Sequence, residues 1–164
     1  MIRSLLTALS ILSTAAIAQP PAPTPADWKP VPGHIMTRWA KDVDPKAPWP
    51  EYPRPTMVRE KWQNLNGLWN YAIATANDPP AWQGKILVPF PIESALSGVG
   101  KSLSAEQTLW YTRNFTVPAD WRTDGQRVLL HFGAVDWHAK IAVNGKPVGQ
   151  HKGAEAERSG QIIA

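Results

Sequence analysis

The stretch from Arg127 to Gly153, RVLLHFGAVDWHAKIAVNGKPVGQHKG, restricts the fold more than any other part of the chain. Val128, Leu130 and Phe132 share one parity; Trp137, Ala139, Ile141 and Val143 share the other, with His138 and Lys140 between them. This period of two belongs to half-buried strands, apolar toward a core and polar toward water. The parity changes across Gly133 to Asp136, so the chain must turn or bulge there to keep both apolar sets on one core. Asn144-Gly145 then predicts a type I′ hairpin, because both residues tolerate positive φ. Pro147 cannot donate to a ladder, which puts the returning arm at a sheet edge or a strand start. The stretch reads as antiparallel sheet, with Trp137 in the core.

Strand patterns also precede it. Leu68 to Ala74 sets Trp69, Tyr71 and Ile73 against Leu68, Asn70 and Ala72, entered through the turn-rich Asn64-Leu65-Asn66-Gly67. Lys85 to Val88 is a second short strand, ended by Pro89-Phe90-Pro91. Ile92 to Gln107 reads as a Ser/Gly/Leu loop. Thr108 to Val117 alternates again, with Trp110 on the side opposite the apolar set, facing solvent or a docked domain. Arg113 falls on the apolar side and is therefore paired there or held at a rim. No segment sustains a 3.6-residue period, so the class is all-β, a sandwich of short strands.

The N-terminal part is different in kind. Met1-Ile2-Arg3, the apolar run Leu5 to Ile17 and Ala16-Ile17-Ala18 before Gln19 form a cleavable signal peptide, residues 1–18, and the run is too short for the roughly 20 residues of a spanning helix. The mature chain is thus expected to be secreted or periplasmic, with no membrane span after cleavage. Residues 19–34 are a Pro-rich linker. Residues 35–55 keep the prolines but add Ile35, Met36, Trp39, Trp49 and Tyr52, too much apolar surface to dangle, and read as an extended arm lying across the domain. A Pro-rich ligand for a partner is the competing view.

Composition closes off several functions. The 17 basic and 13 acidic residues give a net charge of +4 scattered without a basic run, which argues against nucleic acid. The sequence has no cysteine, hence no thiolate metal site or Cys nucleophile. Nothing calls for a cofactor, and the spacing of His34, His131, His138 and His151 does not suggest a metal site. A retaining glycosidase needs two carboxylates about 5 Å apart on rigid elements. Glu51, Glu60, Glu93 and Glu106 fall in loops or arms with no spacing that unites two of them. Gly-x-Ser-x-Gly is missing, so the serines near Ser97 form no nucleophile elbow. No catalytic residue is assigned.

Four blocks in order carry a resemblance: Trp62-Gln63-Asn64-Leu65-Asn66-Gly67-Leu68-Trp69, Val88-Pro89-Phe90-Pro91-Ile92-Glu93-Ser94, Leu109-Trp110-Tyr111-Thr112-Arg113-Asn114-Phe115, and Leu130 to Trp137 running on to Val143-Asn144-Gly145. They resemble the N-terminal sugar-binding domain of glycoside hydrolase family 2. Thr37-Arg38-Trp39-Ala40 and Glu51-Tyr52-Pro53-Arg54-Pro55 look like the lead-in of β-galactosidase-like members. The resemblance implies a jelly-roll, galactose-binding-like β-sandwich over residues 56–153, a carbohydrate partner, and a catalytic barrel elsewhere in the complete enzyme that a chain of 164 residues is too short to include. Residues 154–164 depart from the family and show no strand alternation, an atypical tail that leaves the sandwich without its last strands. Loops at the end of a sandwich display binding residues; here they supply Glu93, Ser94, Ser97, His151 and Lys152 as substrate-binding candidates. A free-standing carbohydrate-binding module is the alternative function, and a structural interaction domain stands behind it.

Overall fold

The computed structural model describes residues 28–51, 58–75, 81–121, 125, 127–135, 137–153 and 160–163. The signal-like residues 1–18 lie outside them. Six strands follow in order: β1 (Gly67–Ala74), β2 (Gly84–Val88), β3 (Thr108–Thr112), β4 (His138–Val143), β5 (Lys146–Lys152) and β6 (Gly160–Ile163). The helical elements among the described residues are short 3-10 turns at Arg38–Asp42, Ala95–Ser97 and Ala119–Trp121. The all-β class expected from strand periodicity is therefore what forms, and no helix among these residues is long and apolar enough to cross a membrane.

The strand order is β2-β1-β3-β6-β4-β5. β1 pairs antiparallel with β2 and with β3, and β4 with β5. β6 joins the trio to the hairpin, running parallel to both β3 and β4. Alternation decides which side of β1 is buried. Trp69, Tyr71 and Ile73 stand opposite Ile86, Tyr111 and Leu109 in the neighbouring strands, so these side chains share one face. Ile92, Val99 and Leu103 pack over it and complete the core. The loop that reads as irregular in sequence is thus the lid of that core.

Sequence and structure part company at several places. The far face of the trio is covered too: Ala72, Leu87 and Trp110 are buried, Trp110 to 2% exposure, so Trp110 does not face solvent. β3 ends at Thr112, not Val117. Arg113 leaves the strand to donate from Nη1 to Leu65 O and Asn66 O, each at 2.7 Å, which pairs it as an apolar-side arginine must be. Gly67, at φ 125°, permits this, since a Cβ there would lie 3.0 Å from Nη1. Residues 127–132 form no strand, and Val128 and Leu129 are exposed. The ladder position beside β3 is filled by β6, which the tail was not expected to supply. A strand flanked on both sides by parallel neighbours reads as a continuous run and not as an alternation, which is why Gln161-Ile162-Ile163 gave no signal.

The hairpin has the expected turn, with φ 51° at Asn144 and 73° at Gly145. β5 is the sheet edge that Pro147 demands. A register shift between Ile141 and Ala142, Pro147 and flanking lysines guard that edge against strand addition. Trp137 is 46% exposed and not core. It sits at the bend before β4, and Ala139 takes the inward position. In the arm, Ala40 and Pro48 are buried, but Ile35, Met36, Trp39 and Trp49 stay exposed. The arm is held by polar contacts instead, Asn64 Nδ2 donating to Trp49 O (3.0 Å) and Asn66 Nδ2 to Pro48 O (3.3 Å).

Ile86 is fully buried in the core face. Truncation to Ala removes its contacts on a central apolar face and should cost about 2–5 kcal/mol. Urea unfolding followed by circular dichroism checks this; a loss within error of zero would mean the Trp69–Ile86–Leu109 face is not the core.

Candidate functional site

The loop after β2 holds three of the candidate residues, and backbone geometry assigns two of them work inside the fold. The chain turns at Pro91, and Ser94 caps the turn Ala95–Ser97, its Oγ donating to Pro91 O (2.8 Å) and accepting from Ser97 N (3.2 Å). Ser97 has no exposed surface. Its Oγ accepts from Val99 N (3.0 Å) and Gly100 N (3.3 Å), and its single proton is shared between Ser94 O (2.7 Å) and Ile92 O (3.0 Å). A buried hydroxyl so fully engaged organises the loop and has nothing left for a sugar.

Residues 28–34 strap the same loop. Trp28 Nε1 donates to Leu96 O (3.1 Å) and Val31 N to Ala95 O (2.9 Å). Gly98 closes the turn at φ 77°, and a Cβ there would strike Trp28 Cδ1 at 2.9 Å. The segment that composition marks as linker is thus docked from Trp28 onward.

Glu93 is half-buried, and its carboxylate acts on Tyr111, a residue outside the candidate set. The Tyr111 phenol on β3 is pushed well above the ordinary tyrosine range, first by burial and second by the negative charge of Glu93. Tyr71, its register partner on β1, is raised by burial as well. Burial and a nearby anion both penalise a phenolate, so Tyr111 stays a neutral O–H. A neutral phenol near a carboxylate at the rim of an apolar face can donate to and accept from hydroxyl groups. Such a pair lacks the second carboxylate of glycoside hydrolysis. Tyr111 shares the apolar parity of β3, so only the fold, which brings the Glu93 loop over that face, reveals it.

His151 and Lys152 end β5, both exposed, across from Ala139 and His138. Gly153 N donates to Trp137 O (2.9 Å), carrying the pairing one step beyond the ladder. Lys152 Nζ lies 5.7 Å from the centroid of the Trp137 ring. β2 and β5 are the two edges of the strand order, with four strands between them. The structure therefore does not gather the five candidates into one site: Glu93, Ser94 and Ser97 follow one edge, and His151 and Lys152 belong to the other. Among the described residues no group of three His, Asp or Glu could hold a metal.

Comparison with known proteins finds relatives. No family model matches the chain. The β-glucuronidase of Felis catus is 29% identical over 117 residues, which cover 62% of this chain and 18% of that protein. The β-glucuronidases of Paenibacillus borealis and Canis lupus familiaris are each 28% identical, over 110 and 117 residues, with the same coverage. The chain is related to glycoside hydrolase family 2. It spans 18% of the length of these family 2 relatives.

Because the folded-state pKa of Tyr111 is raised, its contribution to stability is complete below the ordinary tyrosine value of 10.0 and is lost as pH rises beyond it. Tyrosinate absorbance should show Tyr111 still protonated where a free tyrosine has ionised. Glu93→Gln should lower its titration midpoint while leaving it above the ordinary value, since burial is the larger cause. A midpoint unmoved by that substitution would separate Glu93 from Tyr111.

Proposed function

We propose that this chain is the N-terminal, non-catalytic sugar-binding part of a secreted family 2 glycoside hydrolase. Residues 1–18 serve as signal peptide, 19–34 as a Pro-rich linker whose end docks from Trp28 onward, 35–55 as arm, 56–153 as a jelly-roll sandwich and 154–164 as a tail that departs from the family. Its work is to pack against a catalytic barrel and complete the wall of a carbohydrate pocket. The observation that carries this reading is the match to β-glucuronidases over 62% of the chain but only 18% of their length, on an all-β scaffold. The exposed arm residues Ile35, Met36, Trp39 and Trp49 support the packing role, because they present apolar surface that the described residues leave uncovered. Glu93, near Tyr111 at the rim of the core, is the candidate from the first loop best placed to meet a sugar hydroxyl. Ser94 and Ser97 support that position from below.

A free-standing carbohydrate-binding module is the second reading, favoured by the solvent-exposed Trp137 beside Lys152. Both readings exclude turnover by this chain. Hydrolysis needs one protonated and one ionised carboxylate held on facing rigid elements. Incubation of the purified chain with aryl β-glucuronide, β-galactoside and β-mannoside should release no aglycone above a blank. Release that disappears in Glu93→Gln would overturn the proposal.

A further inference from the structure

We propose that Trp28 and Val31 are positioning residues for the Glu93 carboxylate: residues 28–34 form a latch whose docking into two glycine notches fixes where the loop after β2 carries that group. This deepens the reading of Glu93 as a sugar contact and rests on it. The loop holds its own shape from within. Ser94 Oγ spans Pro91 O and Ser97 N, Ser97 Oγ gathers Ile92 O, Ser94 O, Val99 N and Gly100 N, and Lys101 N donates to Ile92 O at 3.2 Å. These bonds run between residues 91 and 101, so they tie the loop into one body and leave its seat on the sheet to other contacts. Ile92, Val99 and Leu103 seat it by apolar packing, which is non-directional and leaves orientation to hydrogen bonds.

The latch supplies that orientation. The turn Ala95–Ser97 satisfies one carbonyl itself, Ala95 O accepting from Gly98 N at 3.2 Å. From outside the loop, Val31 N also donates to Ala95 O at 2.9 Å, and Trp28 Nε1 caps Leu96 O at 3.1 Å. The gripped carbonyls belong to the second and third residues after Glu93, with the Ser94 cap between. A shift of the turn is therefore passed to the carboxylate.

The surfaces match as well as the bonds. Gly98 stands at φ 77° and Gly100 at φ 62°; a Cβ on the first would lie 2.9 Å from Trp28 Cδ1, and one on the second 3.0 Å from both Val31 Cγ1 and His34 Nε2. Two left-handed glycines thus open two notches, and one short segment fills both. Pro30 and Pro32 flank Val31, fixing φ on either side and leaving its N–H as the donor of that tripeptide. A segment stiffened in this way loses little freedom on docking.

The test uses the full chain with 3-fluorotyrosine in place of its three tyrosines, which brings phenol ionisation to lower pH and lets fluorine NMR follow each ring, Tyr111→Phe assigning the signal. Glu93→Gln should lower the Tyr111 midpoint, since the carboxylate opposes ionisation of the phenol. Trp28→Ala should shrink that Glu93-dependent difference by at least about half, because a charge interaction fades with distance and with admitted water. Trp28→Phe, which keeps a ring in the notch but no donor, should fall between, and Lys29→Ala, an exposed neighbour, should leave the difference whole. Where far-ultraviolet circular dichroism shows Trp28→Ala unfolded, Trp28→Phe carries the comparison. A latch that only stabilises would lower the melting temperature and leave the difference intact; that result overturns the inference. Calorimetric titration with methyl β-D-glucuronide and methyl β-D-galactoside then reads the site itself. Trp28→Ala and Glu93→Gln should weaken the bound glycoside by a similar factor, and the double variant no further. Weakening by Glu93→Gln alone would overturn the latch. A lost midpoint difference with neither glycoside bound would overturn the sugar-binding function and leave the latch standing.

Discussion

Strand β1 is engaged on every side, and the rest of the molecule answers to that. Its backbone pairs with β2 along one edge and β3 along the other, while Trp69 and Tyr71 are buried on one face and Ala72 on the other. A strand in this position leaves no room for unsatisfied backbone, and the ends of β1 show how the requirement is met. At its entrance, Leu65 O accepts from both Trp69 Nε1 (2.9 Å) and Arg113 Nη1 (2.7 Å). At its exit, where β2 has already stopped, the Gln83 side chain takes the part of a strand: Oε1 accepts from Ile73 N (3.2 Å) and Nε2 donates to Ile73 O (3.0 Å). Side chains thus extend the ladder at both ends.

Covering the apolar face of β1 falls to the connection between β2 and β3, and this converts a loop into core. Ile92, Val99 and Leu103 must descend onto Trp69 and Leu109, which drags backbone polar groups out of water. Ser97 is the solution: one buried hydroxyl gathers two amide donors and two carbonyl acceptors. The same descent brings Glu93 near Tyr111. Burial lowers the Arg113 pKa as it raises that of Tyr111, because both effects disfavour charge near the same apolar layer. Arg113 offsets this with two carbonyl acceptors, whereas Tyr111 remains neutral.

The two edges of the sheet then carry different possibilities. The β2 side has a rigid, strapped loop with a carboxylate and a neutral phenol, suited to shaping the wall of a pocket. The β5 side has a guarded, cationic hairpin with an exposed indole. The similarity to β-glucuronidases covers 62% of the chain; the chemistry of the hairpin is a property of its own residues.

Much of this was legible without coordinates. Alternation around Trp69 and Tyr71, the Asn144-Gly145 turn and the edge position of Pro147 each follow from a local rule about side-chain parity or φ, and each formed as the rule demands. The four sequence blocks likewise pointed to the family 2 relationship that the β-glucuronidase matches support. What local rules cannot contain is which strand lies beside which. Parity placed Trp110 outside, but a strand in the interior of a sheet covered on both faces has no outside. Parity placed Trp137 inside, but the ladder begins one residue later. Gln161-Ile162-Ile163 looks like no strand until β3 and β4 flank it, and residues 127–132 look like one until that place is taken. The resemblance offered Glu93, Ser94, Ser97, His151 and Lys152 on loops at the end of a sandwich, and the strand order puts them at two different edges. Local residues determine the period and the turns of this protein; the competition of strands for hydrogen-bonding edges, a long-range property, determined what is buried and what can meet a ligand.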